Sequence, residues 1–278
     1  MSNQKLGLED LGQPIFTSRS SEVFNWDEEK LLKLFHAGTD PDLIAHEAIN
    51  SQVTFESGVS RVEYCGQVQL GDRQGLILKR VAGKTLISLA AGRPQTVFSV
   101  HRLMADLQIA LHQVESDRIR SYKGFVKEAL DREPMQFLTP EEKAHCLDRL
   151  EALPEGKHIL HLDYHPDNIM SDGKSQTTII DWMPASAGVP AAAVAATLFL
   201  LNEGEMIPGM SKLAGAALEA IRKTVCRKYY ADYKKKTGLT DQEVARWRLP
   251  FLIFRLTIWN IDSEIPGLQR KIREELAK

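Results

Sequence analysis

His161-Leu162-Asp163-Tyr164-His165-Pro166-Asp167-Asn168-Ile169-Met170, followed by Ile179-Ile180-Asp181-Trp182, is the stretch on which the reading of this chain turns. Two short apolar pieces, residues 158–162 and 177–180, bracket a polar loop. Taken alone, Pro166-Asp167-Asn168 is also what a plain turn uses, because proline presets φ and Asp and Asn bond their own backbone. Asp181 is harder to treat as filler. It closes a Thr-Thr-Ile-Ile run that reads as a buried strand, where an unpaired charge is costly. An acid at that place asks for a partner.

The double motif resembles the catalytic and metal-binding loops of the aminoglycoside phosphotransferase and choline kinase family, relatives of the protein kinases. There the pattern runs His-Gly-Asp-x-His-Pro-x-Asn, then an apolar strand ending in Asp. Here Leu162 stands where the glycine is usual, and the rest is present in order. The resemblance runs through both lobes, roughly from residue 11 to residue 255. It implies an ATP- and magnesium-dependent transfer of a phosphoryl group to a small-molecule hydroxyl, with Asp163 as catalytic base. Phosphoryl transfer needs positioning and charge neutralisation more than covalent help. A carboxylate beside the attacking hydroxyl serves the first need. Oxygen ligands for a hard cation serve the second, and Asn168 and Asp181 are of that type. His161 is expected to hold the loop by hydrogen bonds, and His165 to pack.

Working back toward the N-terminus, residues 22–26 and 30–35 read as strands joined by a hairpin at Trp26-Asp27-Glu28-Glu29. Alternation puts Lys33 on one face with Leu31 and Phe35, an odd place for a lysine without a partner. Asp40-Pro41 then opens a helix, an acid at the cap with proline in the first turn. Glu47 lies on that helix in line with Leu43 and Ile44, so it is the candidate partner. By resemblance the two are the strand lysine and helix glutamate of the kinase fold, with Lys33 meeting the nucleotide phosphates.

The phosphate-covering loop is expected before Lys33, at Thr17-Ser18-Arg19-Ser20-Ser21-Glu22-Val23-Phe24. It departs from glycine-rich versions, since no glycine occurs between Gly12 and Gly38. Ser18, Arg19 and Ser20 can instead offer hydroxyl, guanidinium and backbone donors, although a plain polar hairpin reads equally well. No GxxxxGK[ST] run supports a P-loop. Strands over 62–70 and 76–81, with a turn at 71–75, lead to a connector that looks like the family's hinge, where Lys79 and Val81 are the expected adenine contacts. A second departure is Ala193, where the family often has an aspartate.

Beyond Gly83 the texture turns helical. Val97, Val100, Leu103, Met104, Leu107 and Leu111 recur at three and four residues, and Thr139-Pro140-Glu141-Glu142 is a capping box. The expected architecture is therefore α+β, bilobal and protein-kinase-like. Residues 1–82 form a small antiparallel-sheet lobe with one helix for the nucleotide. Residues 83–278 form a larger, mainly helical lobe for catalysis and the acceptor. The 278 residues, 43% hydrophobic and 26% charged, suit a soluble globular protein. A net charge of −2 argues against nucleic acid as partner. Three scattered cysteines fit a reducing compartment and give no zinc spacing. The N-terminal stretch lacks the apolar core of a secretory leader, and the apolar run 189–201 is too short to span a bilayer. The expectation is a cytoplasmic monomer or homodimer with no membrane partner.

Two rival readings attach to the same residues. His161-x-Asp163 is also half of a two-histidine, one-carboxylate iron site, yet no histidine follows His165. The altered phosphate loop and Ala193 suit a kinase-like module that binds nucleotide without turnover. The acceptor is expected near Trp182, Trp247, Phe251 and Arg255, although aromatics at such spacing more often form helical core. The C-terminal segment, rich in Arg and Lys, does not announce a pocket for a polycation; a sugar or amino alcohol fits as well as an aminoglycoside.

Overall fold

The structure, a computed structural model, describes residues 7–174, 176–203 and 212–278. The first six residues of the segment read above for a leader lie outside them. In chain order the elements are β1 (Phe16–Thr17), β2 (Ser21–Asn25), β3 (Lys30–Phe35), α1 (Pro41–Glu56), β4 (Tyr64–Leu70), β5 (Arg73–Lys79), β6 (Lys84–Thr85), α2 (Leu86–Gly92), α3 (Val97–Leu111), α4 (Tyr122–Ala129) and α5 (Pro140–Glu151). They continue with β7 (His158–Leu160), β8 (Ile169–Ser171), β9 (Thr177–Ile179), β10 (Ser186–Gly188), α6 (Pro190–Glu203), α7 (Lys212–Thr237), α8 (Asp241–Ala245), α9 (Arg248–Trp259) and α10 (Ile265–Leu276).

The chain separates into two compact units. One holds residues up to Thr85 together with Asn168–Pro184; the other holds Leu86–Asp167 and Ala185–Lys278. The first unit is an antiparallel five-stranded sheet in the order β1-β2-β3-β5-β4, with one long helix and a three-stranded β6-β8-β9 sheet. On one face of the five-stranded sheet Phe24, Leu32, Leu34 and Leu70 form an apolar core. Strand alternation leaves Lys33 and Phe35 on the other face, both buried. The helix α1 begins where the sequence places it, with the Asp40 side chain accepting from the Asp42 N–H and Pro41 in the first turn.

The expected turn over 71–75 is shorter than the sequence suggests. Leu70 and Arg73 are direct cross-strand partners, so only Gly71 and Asp72 form the loop. Gly71 supplies the positive φ, +61°, that such two-residue hairpins need. Arg73 is thereby drawn into the strand, where it donates to the carbonyls of Leu34 and Phe35 and pairs with Glu22. At Gly83, φ is +123° and a Cβ would lie 2.4 Å from the Ser171 carbonyl oxygen, so the pairing of β6 with β8 admits only glycine there.

The second unit is mainly helical, with β7 and β10 as its one two-stranded sheet among the described residues. The capping box at Thr139 and Glu142 is formed and starts α5. The alanine-rich run is helix α6, almost wholly buried. Trp247, which caps α9, and Phe251 and Phe254 within it are buried, as are Tyr122 and Phe125 of α4, and Phe254 meets both α4 rings edge-on at 5.3 and 4.9 Å. These aromatics are core, the plainer of the two readings they carried. No described helix is long and apolar enough to cross a membrane.

Candidate active site

In the first unit, the buried face of β3 and the facing side of α1 place a lysine between two acids. Lys33 Nζ donates to Glu47 Oε1 at 2.7 Å and to Asp181 Oδ1 at 2.8 Å. The pairing expected from strand and helix faces is present, with a second carboxylate 148 residues away in sequence added to it. Burial works against the ammonium, but the Asp181 and Glu47 carboxylates more than offset it and hold Lys33 charged, well above the ordinary lysine range. Glu47 is pushed up by its own burial against the pull of Lys33. The cation has two anionic partners while Glu47 Oε2, fully buried, has none, so the ammonium is the better-satisfied member of the pair.

Asp181 is carried to that position by the β8–β9 pairing. Ile169 and Ile179 are cross-strand partners, and the Ile180 N–H donates to the Asn168 carbonyl at 3.0 Å. Asn168 and Asp181 therefore flank the last rung of one hairpin. The backbone at Asp181 is left-handed, φ +64°, a conformation Asp tolerates better than most residues. The next residue is fixed twice. Asn50 Nδ2 donates to the Trp182 carbonyl at 3.0 Å, and the Trp182 indole N–H donates to Ser60 Oγ at 3.1 Å. Ser60 Oγ in turn donates to the Ile179 carbonyl, and the Arg61 N–H to Thr178 Oγ1. Trp182 is thus an anchor for the strand end rather than an acceptor contact. Sequence reasoning missed Asn50 and Ser60. The signal for Asn50 was the buried polar row Glu47, Asn50, Ser51 and Thr54 along a helix face that should have been apolar; Ser60, beyond the helix, carried none.

In the second unit, Asp163 follows Leu162, which has φ +61° and is buried. That left-handed backbone is why glycine is usual at this position, and leucine holds it at a cost of about 1–2 kcal/mol. His161 is buried and its Nδ1 accepts the Asp163 N–H at 3.3 Å, the loop-holding role expected of it. His165 does more than pack: its Nε2 lies 3.5 Å from Asp163 Oδ2, while its Nδ1 accepts the Asp167 N–H. Arg255 Nη1 lies 3.9 Å from Asp163 Oδ1, and the same guanidinium donates twice to Glu264 at 2.9 Å. Burial alone would push the Asp163 carboxyl up; His165, Arg255 and His161 around it pull it down to about 2. Asp163 is therefore an ionised acceptor over the whole working pH range.

The remaining predicted positions are less telling. The Ser18–Ser21 turn closes β1 onto β2, with Ser18 Oγ bonded to Ser21 and the His36 N–H donating to the Ser20 carbonyl. Arg19 sits exposed at its tip. The Lys79 N–H is already donated to the Glu63 carbonyl, and its ammonium reaches the Glu63 carboxylate at 3.2 Å. Among the described residues no three His, Cys, Asp or Glu side chains gather as a metal site, so the iron reading finds no triad.

The profile of the phosphotransferase enzyme family matches residues 17–233. No curated protein matches the sequence significantly. Among solved structures, a thermostable mutant of aminoglycoside phosphotransferase APH(4)-Ia in its apo form superposes with a TM-score of 0.66 at 14% identity, covering 95% of this chain and 93% of that one. The same enzyme's ternary complex with ADP and hygromycin B gives 0.64 at 14% identity, with 95% and 92% covered. Aminoglycoside phosphotransferase APH(3'')-Id from Streptomyces rimosus gives 0.57 at 15% identity, with 87% and 92% covered. At such identities the likeness is one of fold. With the family profile spanning well over half of its length, the chain belongs to the phosphotransferase enzyme family and has its kinase-like fold.

Proposed function

We propose that this protein transfers the γ-phosphoryl group of ATP to a hydroxyl of a small molecule, a sugar, an amino alcohol or an aminoglycoside-like compound. The observation that carries the reading is the Lys33 ammonium held between Glu47 and Asp181. Two carboxylates, one buried and one partly exposed, fix the position of the ammonium before any ligand arrives, and such positioning is what transfer of a phosphoryl group chiefly needs. In this reading the lobe of residues 1–82 binds the nucleotide, with Ser18, Arg19 and Ser20 over the phosphates and the backbone at Lys79 and Val81 beside adenine. Residues 83–278 supply catalysis and the acceptor site. The complex of a fold neighbour with ADP supports a nucleotide here too.

The donors at the β8–β9 end suit magnesium: one amide oxygen and one carboxylate, both hard, few enough to leave positions for phosphate oxygens. Asn168 and Asp181 are the residues that would hold it, and bound there it would neutralise triphosphate charge. The chain's own part is then simple. The acceptor hydroxyl donates to Asp163, which orients it. Its oxygen forms a bond to the γ-phosphorus as the bond to the ADP oxygen breaks, and the hydroxyl proton passes to Asp163 and on to water. A carboxylate pulled down to about 2 is a weak base, so the proton leaves late and Asp163 acts chiefly by orientation.

The test is magnesium-dependent ADP formation followed over a panel of hydroxyl compounds. Turnover with at least one acceptor, lost in Asp163→Ala, is the expected result. ATP binding with no turnover on any alcohol would favour the second reading, a nucleotide-binding module, for which the glycine-free phosphate loop is the specific observation.

A further inference from the structure

Resting on the phosphotransferase reading, the geometry points to Arg255 as a specificity-determining residue that selects an acceptor with a second hydroxyl beside the reacting one, a vicinal diol of sugar or polyol type, over one with an ammonium there. Arg255 is a cation inside an otherwise apolar, buried run of α9, residues 249–256. Two of its nitrogens are committed, Nε and Nη2 each donating to Glu264 at 2.9 Å. The third, Nη1, faces Asp163 Oδ1 at 3.9 Å. That separation is too long for a hydrogen bond between them. It suits a ligand that bonds to both: one hydroxyl donating to Asp163 and the oxygen next to it accepting from Nη1.

The charges decide which neighbour fits. Asp163 and Glu264 are anionic and Arg255 cationic, so a carboxylate beside the reacting hydroxyl would be a third anion in a nearly buried cluster. An ammonium would have only donors to offer a guanidinium that itself has only donors. A neutral hydroxyl accepts from Nη1 without adding charge. Glu264 fixes the fork so that Nη1 is presented toward Asp163, which makes Glu264 the positioning residue and Arg255 the reading one.

Three ring alcohols that differ at one carbon test this: trans-1,2-cyclohexanediol, trans-2-aminocyclohexanol and cyclohexanol. Each is offered as acceptor with MgATP and, independently of turnover, titrated by calorimetry onto the ADP-bound full-length protein. The diol should bind about tenfold or more tighter than the other two, as expected for one added hydrogen bond to a charged group. Arg255→Met should erase that preference and Arg255→Lys should restore part of it. If Arg255→Met does not fold, the double variant Arg255→Gln with Glu264→Gln removes cation and anion together and should erase it equally. Binding of the amino alcohol as tight as the diol, no detectable diol binding, or a diol preference that survives loss of Arg255 would each overturn the proposal. Failure of the phosphotransferase reading shows separately, as absence of Asp163-dependent ATP turnover while the calorimetric preference persists.

Discussion

Replacing Lys33 by methionine removes the cation from between Glu47 and Asp181, and the cost can be worked from their surroundings. The Asp181 side chain is 37% exposed, so water takes over much of what it loses, and that half is worth no more than about 1 kcal/mol. The Glu47 side chain is 1% exposed and its Oε2 already has no partner. Stripping the ammonium from Oε1 leaves a buried carboxylate with nothing, a change that costs about 3–5 kcal/mol. Glu47 has one escape, which is to take a proton. Burial pushes its folded value above the ordinary 4.5, so the variant's deficit is smallest in acid and grows as pH rises through that shifted value. We expect Lys33→Met to lose about 3 kcal/mol near neutral pH and clearly less near pH 5, read as urea midpoints at unchanged m-value. The double variant Lys33→Met with Glu47→Leu, which replaces the buried pair by apolar groups, should return to within about 1 kcal/mol of the parent while still failing to bind ATP. A double variant as unstable as the single one would refute the reasoning. So would a Lys33→Met deficit that does not change with pH.

Leu162→Gly would relieve the strain at φ +61° but delete a buried side chain; the second effect is larger, so we expect a net loss of about 2 kcal/mol by thermal or urea unfolding, and a gain in stability would contradict it. Ala193→Asp, which writes the family's usual residue into a 1% exposed position on α6, should cost roughly 2–4 kcal/mol rather than firm the catalytic loop, measured the same way. Asp163 falls from an ordinary 3.8 to about 2 on folding, a depressed acid; it contributes about 2 kcal/mol of stability above pH 4, lost as pH falls toward 2. Asp163→Asn should flatten that part of the acid-unfolding curve, and an unchanged curve would count against the Arg255 and His165 contacts.

Much of the site is short-range in origin, and that part was legible. The cap at Asp40-Pro41, the alternation that turns Lys33 inward and the helical spacing that turns Glu47 toward it are each settled within a few residues, so the pair could be named before any coordinates. The loop from His161 to Asn168 was legible for another reason: its order of residues resembles the family's motif, and the family profile matches the chain across it. What local pattern cannot carry is the partner that arrives from far along the chain. Asp181 reaches Lys33 across 148 residues, and Arg255 reaches Asp163 from a helix whose neighbours are apolar. His165 was read as packing although the carboxylate it faces, Asp163, is only two residues away, because the loop's turn and not nearness in sequence decides whether the two side chains meet. The left-handed backbone at Leu162 and Asp181 was hidden too, since leucine gives no sign of a conformation that glycine would have announced. Dihedral preference, capping and periodicity act over one or two turns, so the amino-acid order determined which groups could do the chemistry; only the closing of long loops by packed helices and sheets decided which charges they meet.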